Sequence, residues 1–427
     1  LNEIASERIA SRTPKLDVNM TVEERKKLRE NKKLAEQLLG SDKKARMKAV
    51  YELIDYKPIW LTESGELTPF SKTLFDQMEN DITLDRNSTV YQKKEEILKK
   101  EFEIAKLYQE YMGHVLYGAI DWKTFLNKLH HHPESLLIEA IHDDSLGSAF
   151  EKAVPKFPMY EKLLTGLEKY KKIAANGGWE PLPSFKALKP GAYSDVVPLL
   201  RKRLAKEGFY DPAACPKVTD EKKYDKCLVE AVKKFQRLHG LEDEGYIGKL
   251  TQKALNESAE QKVARIKLNL DRLKWLKRGG DRYHIVVNIP AFTLYMFDGQ
   301  DLIQKMRVIT GRKGHETPIF YGRVRTIVLN PYEKHLFVKD VRALSHGCVR
   351  LHRPFDLLET FSQIEPKIDY ERSEEILKEN KKTPFRLSKT IPVDIIYLTS
   401  WVNNDGEVEF RNDIYGYDEL QMGTANR

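Results

Sequence analysis

The chain is poor in cysteine, with three in 427 residues. It holds no apolar run near the ~18 residues that a membrane-crossing helix needs. Its longest apolar stretches are short, such as Ile395-Ile396-Tyr397-Leu398, so no spanning helix is expected in these residues. No nucleic-acid-binding motif accompanies the positive charge, so the net +8 carries no claim of nucleic-acid recognition. The chain also lacks a starting Met: it begins at Leu1, as expected of a processed or trimmed form from which a secretion signal or membrane anchor could have been removed.

What is present points to a folded, multi-domain protein. Hydrophobic residues make up 41% and charged residues 32%, outside the disordered range. The length is too great for one core. The basic balance, pI about 9.0, suits an anionic polymer such as nucleic acid, anionic lipid or cell wall. The Lys-rich stretch from Arg25 to Lys48 is preceded by Glu23 and Glu24 and interrupted by Glu30, Glu36 and Asp42, which reads as a solvated helix face. Cys215 and Cys227 stand twelve apart and Cys348 alone; a pair plus one thiol fits an oxidising compartment, against three reduced thiols in a cytosolic protein.

Residues 1–185 read as a helical scaffold, with Ile97, Phe102, Ile104, Ala105, Tyr108, Tyr111 and Met112 at helical spacing. His130, His131 and His132 precede Pro133 with no Cys or acid at ligand spacing, which favours a surface turn over a metal site. Residues 186–258 predict a three-helix module. Its first helix carries Val196, Val197, Leu199, Leu200 and Leu204 and is closed by Gly208; the second runs from Leu228 to His239; a short third holds Leu250, Ala254 and Leu255. Residues 259–280 predict a connecting helix. Thereafter the period falls to two. Tyr283–Pro290 reads as a strand, and Asp298-Gly299 between apolar runs predicts a hairpin. Residues 281–400 are expected to be a mostly-β catalytic domain with a helix from Pro354 to about Ile364, and 401–427 a C-terminal tail. The expected fold class is multi-domain α+β.

The chemistry concentrates in Ser345-His346-Gly347-Cys348-Val349-Arg350-Leu351. An acyl-transferring Cys must be exposed, partly thiolate, and faced by donors for the oxyanion it creates. Gly347 allows close backbone approach, and the amides of Gly347 and Cys348 are candidate oxyanion donors. His346 and Arg350 add positive potential, and Val349 and Leu351 would anchor the strand inward. A lone Cys near a His is otherwise more often a small buried hydrophobe.

The string S-H-G-C-V-R resembles the catalytic signature of the L,D-transpeptidases (YkuD type). The resemblance extends through VNIPAFTLYMFDG, VITGRKGHETPIF, IVLNPY and RPFDLLE, while AVKKFQRLHGL…GYIGKLTQKAL resembles a peptidoglycan-binding module. Together with the helical region the chain is similar to the large periplasmic, YcbB-like kind. The resemblance implies a Cys348 nucleophile acting on a stem tetrapeptide through a thioester, a 3→3 cross-link as product, and an envelope or periplasmic location. Peptidoglycan is the implied partner, with no nucleic acid and no metal or organic cofactor. Arg350 and Ser345 would contact substrate. A Cys215–Cys227 disulfide is expected in the module.

One departure stands out. Where the family carries a base His in a Y-x-H-D-T-P-like stretch, this chain has Leu329, and the H-D-T-P text is absent. His346, on a strand, would face the same side as Cys348 and is the fallback base; His335 and His352 are the other nearby histidines. Two well-matched halves meet at Tyr332-Glu333, which predicts further residues at that join in the working protein. If the base is absent, a catalytically inactive wall-binding scaffold remains. An L,D-carboxypeptidase, with water as acceptor, shares the same first step.

Overall fold

The structure is a computed structural model. It describes residues 26, 29, 45–92, 97–120, 132–156, 158–216, 218–276, 282–299, 301–329, 337, 341–378 and 383–425. The chain divides into two units, residues 1–118 with 130–155, and residues 119–129 with 156–427.

The first unit holds helices α1 (Ala45–Leu53), α2 (Pro69–Asn80), α3 (Thr89–Gln92), α4 (Glu101–Tyr117), α5 (Pro133–His142) and α6 (Leu146–Ala153). The stripe read from the sequence, from Ile97 through Met112, is buried throughout, and Trp60, Tyr51 and Tyr111 fill the core beside it. α2 starts where Thr68 accepts from the Ser71 N–H and Pro69 takes the first turn. Glu101 holds the strand-like turn before α2, accepting from the amides of Ile59, Trp60 and Leu61 and from the Tyr51 hydroxyl. His132 takes a hydrogen bond from Arg46 at 3.1 Å; His130 and His131 lie outside the described residues.

In the second unit, α7 (Pro158–Ala175) precedes the three-helix module of α8 (Val197–Glu207), α9 (Lys226–Leu238) and α10 (Lys249–Leu255). Gly208 caps α8 at φ 82°, as the sequence predicts. Asp225 caps α9 by accepting from Leu228 N–H. Gln236 on α9 donates to Tyr246 O and accepts from Gly245 N–H, which explains why the FQ and G-x-IG texts travel together. Cys215 and Cys227 are joined, Cα to Cα 6.0 Å. Closing that loop contributes ~3 kcal/mol on a chain-entropy estimate.

α11 (Ala259–Lys274) opens on a capping box between Ser258 and Gln261. It is not a mere connector: Lys262, Ile266, Asn269, Leu270, Arg272 and Leu273 are all buried. The sheet follows, with β1 (Tyr283–Asn288), β2 (Thr293–Asp298), β3 (Asp301–Gly311), β4 (Phe320–Leu329), β5 (Ala343–Ser345), β6 (Arg350–Leu351) and β7 (Thr383–Ile396). Its order is β4-β7-β1-β2-β3-β5, and β6 pairs with β3. β1–β7 and β3–β5 are parallel; the other pairs are antiparallel. The Asp298-Gly299 hairpin joins β2 to β3 as expected. Helices α12 (Pro354–Ile364) and α13 (Tyr370–Lys378) follow β6.

The C-terminal residues are more than a tail. β8 (Ser400–Val402) and β9 (Val408–Phe410) form a hairpin, and α14 (Tyr417–Ala425) returns to α11. Arg272 donates to Gln421 Oε1 and pairs with Asp418 at 2.7 Å, while Asn269 bonds Thr399. These polar residues gave no period in the sequence, because the pairing partners lie some 130–149 positions apart.

A buried ionic cluster ties the module to α11. Glu207 of α8 receives Lys262 Nζ at 2.6 Å and Arg203 Nη1 at 2.6 Å, and the Tyr170 hydroxyl donates to it at 2.8 Å. Burial pushes the Glu207 carboxyl up, but Lys262 and Arg203 outweigh it and hold the group well below the ordinary carboxylate range. His239 is driven down by burial and then by Lys262. It is therefore neutral, with Nδ1–H donating to Phe235 O and Nε2 accepting from Lys262.

Candidate active site

Parallel pairing of β3 with β5 builds the site. It sets Gly311 opposite Ser345, and antiparallel β6 sets Ile309 opposite Arg350, so the segment 346–349 arches over the C-terminal end of β3. Cys348 lies in this arch and its thiol is exposed. The arch is not a strand. The alternation that would place His346 and Cys348 on one face therefore does not apply, which corrects the expectation.

Gly347 has φ 98°, a conformation L-side chains rarely adopt. This turns the Gly347 and Cys348 amides out of any ladder, and among the described residues neither N–H has a partner. Thr317 fixes the turn. Its hydroxyl donates to Gly347 O at 3.0 Å and accepts from Gly311 N–H at 2.8 Å. Tyr415 supports Thr317 in turn, donating to Gly311 O at 2.6 Å and accepting from Thr317 N–H at 3.2 Å. Gly311 is needed for close approach: a Cβ there would lie 2.1 Å from His315 O.

Ser345, expected on the substrate side, is buried, and its hydroxyl donates to Cys348 O. It shapes the arch and is not displayed to solvent. Arg350 is exposed on β6, while Val349 and Leu351 are half-buried. His346 is exposed, and Arg312 Nη2 lies 3.0 Å from its Nε2. A guanidinium only donates, so Nε2 accepts and the ring carries its proton on Nδ1. That occupies the lone pair a general base would use. His315 meets His346 edge-on, ring centres 4.8 Å apart.

Arg312 and His315 were missed from the sequence. They stand more than thirty positions before Cys348, and only β3–β5 pairing, with Arg312 N–H donating to Ser345 O, brings them there. Glu316 completes the loop; the Gly314 N–H holds its carboxyl below the usual range. His352 lies beyond β6, its ring 5.2 Å from that of Phe337. His335 and the Tyr332-Glu333 join lie outside the described residues.

An exposed thiol beside two unengaged amides, on the arch carrying S-H-G-C-V-R, meets a family model. Residues 282–384 match the L,D-transpeptidase catalytic domain (YkuD), and 194–255 match a "Putative peptidoglycan binding domain". The chain carries a YkuD-type L,D-transpeptidase catalytic domain together with a peptidoglycan-binding domain. A third model, described as a scaffold domain, matches residues 45–167. The YkuD-type domain is thus the mostly-β sheet, the binding domain the three helices, and the scaffold the helical first unit.

A curated Haemophilus influenzae protein described as a "Putative L,D-transpeptidase" is 23% identical over 227 positions, covering 33% of this chain and 46% of that protein. The match therefore spans a little under half of that relative. The 33% of this chain is about 141 of its 427 residues, fewer than the 227 aligned, so the relative carries residues within the span that have no counterpart here. Among solved structures, an L,D-transpeptidase (Yku) from Stackebrandtia nassauensis is 18% identical, covering 51% of this chain and 97% of its own, TM-score 0.23. A fused Zn-dependent amidase/peptidase/peptidoglycan-binding protein from Clostridium acetobutylicum is 16% identical, covering 50% and 100%, TM-score 0.16.

Proposed function

We propose that the chain is a peptidoglycan L,D-transpeptidase of the cell envelope, working in the periplasm and forming 3→3 cross-links. The observation that carries this reading is the exposed Cys348 thiol next to the amides of Gly347 and Cys348, which have no partner among the described residues. The Cys348 thiolate attacks the carbonyl carbon between residues three and four of a tetrapeptide stem. The developing oxyanion takes the two amides as donors. The C–N bond breaks, D-Ala leaves as an amine after taking up the proton that the Cys348 thiol gave up on ionising, and a thioester remains. The third-residue amine of a neighbouring stem then attacks the thioester, an amide bond forms, and the thiol is regenerated. Arg312 and Arg350 supply positive potential for the thiolate and for stem carboxylates, and Arg312 also holds the His346 ring. Ser345 and Thr317 hold the arch.

The occupied Nε2 of His346 favours a second reading, a catalytically inactive wall-binding scaffold. The two part on one experiment. Incubating the protein with a free tetrapeptide stem and measuring intact mass gives an acyl adduct on the active reading, absent in Cys348→Ala. No adduct on the wild type supports the scaffold. An L,D-carboxypeptidase, with water as the acceptor, gives the same adduct and is separated by its products.

A further inference from the structure

We infer that a basic cleft between the peptidoglycan-binding domain and the YkuD-type sheet is a second binding site for stem-peptide carboxylates, separate from the Cys348 arch. This rests on the proposed function for the identity of the ligand.

The cleft has a volume of about 640 Å³. One wall is the end of α9 and the turn after it, Arg237 to Asp243; the other is the start of β2, the middle of β3 and the residues following β6. Six cationic side chains line it (Arg237, Lys305, Arg307, Arg342, Arg353 and Arg411) against a single carboxylate, Asp243. Part of this charge is locally matched. Arg237 pairs with Asp243, Arg353 with Asp356, and Arg411 with Glu409. Arg342 is buried under the floor, donating to Val308 O and Phe292 O.

Lys305 and Arg307 differ. They sit two apart on β3, so both leave the same face, while Met306 and Val308 between and beyond them are buried. Both are exposed, and neither meets a carboxylate within ion-pair distance among the described residues; Arg307 reaches only Phe337 O, and Lys305 lies over the Tyr295 ring. Two outward cations with no carboxylate partner among the described residues, in a concave site already rich in guanidinium, attract a ligand with more than one carboxylate.

The position of the cleft limits that ligand. His352 and Arg353 line it and follow Cys348 by four and five positions. At no more than ~3.6 Å per residue, their backbone stands within roughly 18 Å of that of Cys348. A strand of cross-linked wall held there by its stem carboxylates touches the binding domain on one side and leads to the arch on the other. The glycan-binding and catalytic domains then engage one polymer through a shared cleft.

The test uses the full chain with Cys348→Ala, so that binding is read without chemistry. The ligand is a soluble disaccharide-tetrapeptide, compared with the same molecule with its stem carboxylates amidated. Lys305→Gln with Arg307→Gln is expected to weaken binding of the carboxylate form about tenfold at low salt. The amidated form should bind weakly to both proteins. Equal affinity of the parent and doubly substituted chains, or equal affinity for the amidated ligand, overturns the site. Acylation of Cys348 by a free stem tetrapeptide, measured on the chain that keeps its thiol, reports the activity alone. Acylation with cleft-independent binding refutes the cleft and leaves the activity; cleft-dependent binding without acylation refutes the activity and leaves an anion site.

Discussion

Glu207→Gln removes one negative charge from a fully buried cluster and leaves two cations facing it. In the wild type the carboxylate receives Lys262 and Arg203 at 2.6 Å each and the Tyr170 hydroxyl at 2.8 Å. Lys262 and Glu207 have no exposed side-chain surface, so water cannot replace the lost charge. Removing one partner of such a pair costs about 3–5 kcal/mol. For a unit of this size that corresponds to a melting temperature lower by roughly 6–20 °C. The assay is thermal or urea unfolding followed by far-UV circular dichroism. A companion change, Lys262→Met on the Glu207→Gln background, should recover part of the loss, because one of the two buried cations left without a partner is gone while Arg203 remains.

The same cluster makes stability depend on pH. The Glu207 carboxyl is held below its ordinary value of 4.5 in the folded state, so its contribution is present above 4.5 and is lost as pH falls through the lower folded value. Wild type and Glu207→Gln should converge as the solution is acidified below 4.5. A loss under ~1 kcal/mol at pH 7, or a difference that persists unchanged into acid, would refute the reasoning.

The other expectations concern the arch and the chain itself. A carbapenem should add one adduct to the protein by intact mass, absent in Cys348→Ala; an adduct that survives that substitution removes Cys348 as the nucleophile. Gly347→Ala places a side chain at φ 98°, where strain costs about 1–3 kcal/mol. Its nearest new contact, Glu316 O at 3.5 Å, leaves room for the methyl, so the chain should fold while acylation slows at least about tenfold as the two amides turn away. If residues are inserted at the Tyr332-Glu333 join in the working protein, its intact mass exceeds 49.6 kDa; a mass equal to that value, with no acylation, favours the inactive scaffold.

Much of the architecture was legible because it is local. The α9 stripe, the Gly208 cap, the Asp298-Gly299 hairpin and the Pro354 helix start all follow from residues within a few positions of each other. The cysteine arch was legible as text, but its shape was not. Strand alternation set His346 beside Cys348, whereas a positive-φ glycine breaks the strand there and Arg312 claims the imidazole lone pair. That contact depends on a parallel β3–β5 pairing, which no short-range pattern encodes. The same holds for α11. It read only as a connecting helix, yet Lys262 and Arg272 are buried because their partners Glu207 and Asp418 come from opposite directions along the chain. The basic cleft was hidden for the same reason, being assembled from six separate stretches of sequence.

The central claim is that Cys348 joins stem peptides through their third residues. Purified wall sacculi incubated with the full chain, then digested and analysed by mass spectrometry, test it most directly. The account predicts new 3→3 cross-linked dimers that disappear with Cys348→Ala. Trimmed tripeptides without dimers would make the chain a carboxypeptidase, and an unchanged muropeptide profile would contradict the account altogether.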